Sequence, residues 1–134
     1  MWIDVEETIN QREDGRLHLI VILLSRDTAR KKISTDRIKD GVLGQAHIPS
    51  RRAYIFCDRI ATMPGAPVYF PIPLGDVIAH EVGHLVLRTT SHSRSGIMRA
   101  NTDVHTIHLQ SFDTTQARTI RATLTELTAG ATGR

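Results

Sequence analysis

Residues 80–98 read HEVGHLVLRTTSHSRSGIM, and the first five, His80-Glu81-Val82-Gly83-His84, form an H-E-x-x-H pattern inside an otherwise apolar run. On an α-helix, side chains four residues apart lie on one face. His80 and His84 are therefore expected to present two imidazoles to one divalent cation. Glu81, one step round the helix, is a poor third ligand but is well placed to touch a water on that cation. This is the working core of a zinc hydrolase.

Working outward, Pro73 to Leu87 is predicted to be helical and is apolar nearly all round, with Leu74, Val77, Ile78, Val82, Leu85 and Val86. Such a helix is buried, and Pro71 and Pro73 suit its start. Ionisable residues on a buried helix need partners, which a metal would supply. Gly83 in mid-helix costs about 1 kcal/mol relative to alanine, so its presence points to close approach on that face. Arg88 to Gly96 reads as a polar loop, and a turn there could fold His92 back over the metal as the third ligand. Competing third ligands are Asp103, His105, His108, Asp113 and Glu126, although His105 and His108 also read as surface residues of an alternating segment, VHTIHL.

Upstream, Leu17 to Leu24 (LHLIVILL) is a continuous apolar run, expected to be a central strand buried on both faces. Trp2 to Val5 reads as a short first strand, and Ala53 to Asp58 as a second strong strand. Asn10 to Gly15 ends in a turn signal. Thr35 is expected to cap a short helix that turns Ile38 and Val42 inward, with Gly41 and Gly44 breaking it. Downstream, Asp113 is expected to cap a last helix from Thr114 to about Leu127, burying Ile120, Leu124 and Leu127. The fold class expected is α+β: one small domain over residues 1–128, a twisted mixed sheet packed on a buried active-site helix and a C-terminal helix. Residues 129–134 read as a disordered tail.

The chain's 134 residues suffice for one core. With 40% hydrophobic, 23% charged and only 4% aromatic residues, that core must rest on aliphatic side chains. No apolar run approaches the roughly 18–20 residues of a membrane span. MWIDVEETINQRED carries no signal-peptide pattern, so the expected compartment is the cytoplasm, or a secreted location if a leader has been lost. The single cysteine, Cys57, reads as a buried structural thiol. The net charge of +3 is modest, and the runs Arg30-Lys31-Lys32 and Arg51-Arg52 read as solvated faces rather than a nucleic-acid footprint. His18 and His47 read as structural. Tyr54 and Tyr69 are candidates to polarise a carbonyl only if the fold brings them to the site.

HEVGH followed by His92-Ser93 and Ile97-Met98 resembles the metzincin clan of zinc peptidases, and the His-Ser and Ile-Met pairs resemble its matrixin branch. Small bacterial zincin-like proteins with a similarly displaced histidine are a further likeness. The resemblance covers about 20 residues and implies a zincin-like domain, His92 as third zinc ligand, and Met98 as a methionine turn beneath the metal. It departs from the clan at Leu87, where glycine would stand, and at Thr90, where histidine would stand. Many zincins also begin with a helix packed on the sheet, whereas Trp2-Ile3-Asp4 reads as a strand, implying a minimal or truncated version.

The resemblance implies a zinc-dependent metallopeptidase acting on peptides or proteins, in which a water on the metal attacks and Glu81 is the general base. By analogy with zincins, an extended substrate is expected to pair with an edge strand near Ala53 to Asp58. Zinc is the expected metal, although nickel or cobalt suit the same imidazoles. Two rivals stand beside this reading. One is a zinc-dependent endoribonuclease of the kind that matures ribosomal RNA, whose motif lacks the glutamate. The other is a non-catalytic metal-binding module.

Overall fold

The computed structural model describes residues 17–64, 70–100 and 110–132, with side chains to residue 126. It is a small α+β domain. Strand β1 (Ile20–Leu23) leads into helix α1 (Arg26–Asp36). Strands β2 (Gly44–His47) and β3 (Arg52–Ile55) follow, then the short helix α2 (Cys57–Ala61). Helix α3 (Pro71–Leu87) carries the H-E-x-x-H pattern, and α4 (Thr114–Thr132) closes the chain. The sheet order is β1-β3-β2, with β1 parallel and β2 antiparallel to β3.

The central strand is therefore β3, not the run at Leu17 to Leu24. That run yields only four strand residues, at a sheet edge among the described residues, and Val21 and Leu23 remain 37% and 55% exposed. Val21 and Leu23 share a face with their β3 partners Ala53 and Ile55, which are fully buried. The apolar run thus puts half-buried Ile22 on one face and Val21 and Leu23 on the other, where the edge position leaves them less covered than their β3 partners. The expected strand Ala53 to Asp58 is also shorter, because Cys57 and Asp58 already belong to α2. Cys57 is half-buried, not fully buried as expected. The strand expected at Trp2 to Val5 lies outside the described residues.

The sheet's two faces carry separate cores. On one, Leu24, Ala29 and Phe56 form a cluster joined by Ile22, Ile33, Ile38, Val42 and Tyr54. The helix behind it is α1, capped by the Ser25 side chain rather than by Thr35, which falls in its last turn. On the other face, Ile55, Ile60 and Val77 pack with Leu43, Leu74 and Ile78, seating α3 against β2 and β3. Pro71 opens α3 because the first helical turn requires no amide donor there.

Asp113 and Gln116 cap α4 reciprocally: the Gln116 amide donates to Asp113 Oδ1 at 2.8 Å and the Asp113 amide to Gln116 Oε1 at 3.1 Å. The helix runs to Thr132, through positions expected to be a disordered tail, and Leu124 is 46% exposed rather than buried. Among the described residues no helix is long and apolar enough to cross a membrane.

Phe56 has no solvent exposure, and it sits where β3 passes into α2. Phe56→Ala is expected to cost about 3–5 kcal/mol, read as a fall in the denaturant midpoint without a change in slope.

Candidate metal centre

Helical periodicity puts His80 and His84 on the buried side of α3, where each is under one-tenth exposed. Their rings are fixed from behind. His80 Nδ1 lies 2.7 Å from the Ile97 carbonyl, and His84 Nδ1 lies 2.7 Å from the Thr89 carbonyl. A carbonyl only accepts, so each Nδ1 carries the proton and donates it. Each Nε2 is then left unprotonated, with a lone pair. The two Nε2 atoms face one another at 3.0 Å, close to the ~3.3 Å separation of two nitrogens each about 2.05 Å from a tetrahedral zinc. Burial lowers the pKa of both rings, chiefly by desolvation, and keeps them neutral.

The loop after α3 brings in the third imidazole. The helix ends at Leu87, and Arg88 turns the chain in a left-handed conformation (φ 52°). The turn thus falls one residue after the position where the metzincin pattern has glycine. His92 then comes within ring-centroid distances of 5.2 Å from His80 and 5.0 Å from His84. Their ligand atoms all lie within 4.8 Å of one another, so the three histidines form a cluster able to hold a metal ion. The first two are buried and His92 is exposed.

A single turn ties these parts together. The Ser93 amide donates to the Met98 carbonyl at 2.8 Å, and the Ile97 amide donates to the Ser111 carbonyl at 3.0 Å. Ile97 then offers its own carbonyl to His80. Gly96 has φ +73°, and a Cβ there would collide with the Ser111 carbonyl. Met98 is 1% exposed and lies under α3 at Gly83. A Cβ on Gly83 would come within 2.5 Å of Met98 Sδ and 2.9 Å of Phe112 Cε1. The close approach expected at Gly83 is therefore against this methionine and α4's leading segment.

Glu81 is buried on the other side of the pair, against β2. The Ala46 amide donates to its carboxylate, and a Cβ on Gly44 would meet Glu81 Cγ at 2.7 Å and Oε1 at 2.8 Å. Desolvation pushes the Glu81 carboxyl up to about 7, opposed in part by the Ala46 hydrogen bond. Gly44, expected only as a helix breaker, is thus the gap that admits Glu81 to the strand. Gly44, Ala46, the Thr89 and Ile97 carbonyls, Gly96 and Phe112 all escaped sequence reasoning. Only the φ preference of Gly96 left any local trace in the chain.

Among the described residues, the other candidate ligands do not join the cluster. Asp113 is occupied capping α4, and Glu126 is exposed on that helix. Asp103, His105, His108 and Tyr69 lie outside the described residues. Tyr54 faces away from the site, stacked beneath the Lys32 ammonium at 3.8 Å. His47 is exposed and bonds Ser50 at 2.7 Å. A cleft of about 760 Å³ opens over the cluster, with Gly44 to Ala46 along one wall and all three histidines and Glu81 lining it.

Compared with known proteins, the chain matches no family model, no curated protein and no solved structure.

Gly83→Ala separates two opposed effects. Helix propensity favours alanine by about 1 kcal/mol, whereas overpacking against Met98 costs about 1–3 kcal/mol. The expected outcome is a net loss of stability in a denaturant titration, and a smaller loss when the same change is made in a Met98→Ala background.

Proposed function

We propose that this protein is a zinc-dependent peptidase of the zincin type, with His80, His84 and His92 as ligands and Glu81 as general base. The supporting observation is the pair of buried Nε2 atoms 3.0 Å apart, both deprotonated because each Nδ1 is committed to a backbone carbonyl. Two facing lone pairs repel unless a proton or cation lies between them. Three neutral imidazoles leaving one open position suit a catalytic zinc, and nickel or cobalt fit the same donors less selectively. Zinc held by these residues would supply a Lewis acid and would lower the pKa of water from about 15.7 towards 7.

The chain's own groups supply the rest. Glu81, with the Ala46 amide holding its carboxylate, takes a proton from the attacking water and returns it to the leaving amine. The substrate strand is β2 rather than the expected region at Ala53 to Asp58, because β3 is paired on both sides. The Leu43 carbonyl accepts from Phe56 at 2.9 Å, so the polar groups of Gly44 and Ala46 turn away from β3 towards the edge that is unpaired among the described residues. The Ala46 amide is taken by Glu81, which leaves the Gly44 groups and the Ala46 carbonyl. An extended peptide can pair there beside Glu81. The ribonuclease motif has no counterpart to Glu81, which disfavours that reading.

Glu81→Gln is expected to retain one equivalent of zinc while hydrolysis of a peptide library falls by roughly 10²–10⁴-fold. His92→Ala is expected to lower the zinc stoichiometry, measured by elemental analysis after dialysis. A zinc-replete wild type that cleaves no peptide, or a Glu81→Gln protein of equal activity, would overturn the proposal.

A further inference from the structure

The end of the cleft from which β2 starts is walled by Lys39, Asp40 and Arg59. Arg59 is unusually well fixed for a cleft-lining cation. Its Nη1 donates to the Lys39 and Val42 carbonyls, each at 2.8 Å, and its guanidinium sits 5.5 Å from the Phe56 ring centroid. The side chain is 20% exposed. Two carbonyls neutralise none of its charge. The acidic neighbour is Asp40, whose Oδ1 lies 3.9 Å from Nη2, beyond hydrogen-bond length, and whose side chain is wholly in solvent. Nη2 is thus the terminal nitrogen that those carbonyls leave unengaged; among the described residues its ion pair is the long, solvent-exposed one with Asp40, and it can donate charge-assisted hydrogen bonds to a closer carboxylate.

We infer that Arg59 forms a carboxylate subsite at this end of the cleft, and that the peptides taken by the site place a carboxylate there. The inference rests on the peptidase reading. It gives that reading a substrate class: peptides with an acidic side chain or the free C-terminus a few residues along β2 from Glu81. Lys39 adds positive charge to the same wall, while Asp40 competes for Arg59 from solvent.

The test uses zinc-loaded Glu81→Gln protein, in which binding is read by calorimetry without turnover. Two matched peptide pairs are titrated, one ending in carboxylate or carboxamide, the other carrying internal Glu or Gln. The expected result is binding about tenfold tighter for the carboxylate member of one pair, which also tells the two sources apart. Arg59→Met should abolish that preference. Because Arg59 also holds two loop carbonyls, Asp40→Asn, made at a solvent-exposed side chain, provides the second arm and should widen the preference. Equal affinities within both pairs overturn the inference, as does a preference that survives Arg59→Met or is unmoved by Asp40→Asn. A preference for carboxylate together with a wild type that cleaves no peptide leaves the subsite standing and removes the peptidase reading.

Discussion

Two hydrogen bonds of 2.7 Å, from His84 to the Thr89 carbonyl and from His80 to the Ile97 carbonyl, decide the character of the whole site. Each places a proton on Nδ1 and so a lone pair on Nε2. Each also stops ring rotation about the Cβ–Cγ bond, which in a buried imidazole would otherwise find other partners. Both acceptors are backbone atoms, so this control of protonation and orientation does not depend on any other side chain's charge. Groups of this kind, behind the ligands rather than among them, set the tautomer and basicity of metal-binding histidines.

Such acceptors are available only because the segment after α3 is held in a defined shape. Arg88 reverses the chain, Gly96 fits against Ser111, and Met98 fills the space that Gly83 leaves open. The α3–α4 packing and the ring geometry are therefore parts of one arrangement. On the opposite side of the histidine pair, Gly44 does for Glu81 what Gly83 does for Met98. In both places a missing side chain allows a neighbouring one to enter a buried position. Polar burial at Glu81 is tolerable because the Ala46 amide partly compensates the lost hydration.

The parts legible in the sequence are those written in local periodicity. His80, Glu81 and His84 follow from the helical repeat, and the demand for a small residue at Gly83 follows from the cost of glycine in a helix. The end of α3 was legible to within a residue, and so was the cap at Asp113, although not its reciprocal partner Gln116. What escaped depends on partners distant in the chain. Strand β2 reads GQAH and has no β-branched residue; it is a strand because β3 lies beside it. Conversely, LHLIVILL has every mark of an interior strand, yet the sheet stops there among the described residues, leaving Val21 and Leu23 exposed. Apolar composition reports a preference for burial, and only the neighbours decide whether burial is available.

The burial difference among the three histidines has a thermodynamic consequence. His80 and His84 belong to a rigid helix, whereas His92 stands in solvent on the loop that follows. An ion shared by all three would act as a cross-link closing that short loop onto the helix. The entropy lost in fixing the His92 side chain and its immediate neighbours would then oppose ion binding, and saturation of the site and ordering of residues 90–92 would form one coupled equilibrium.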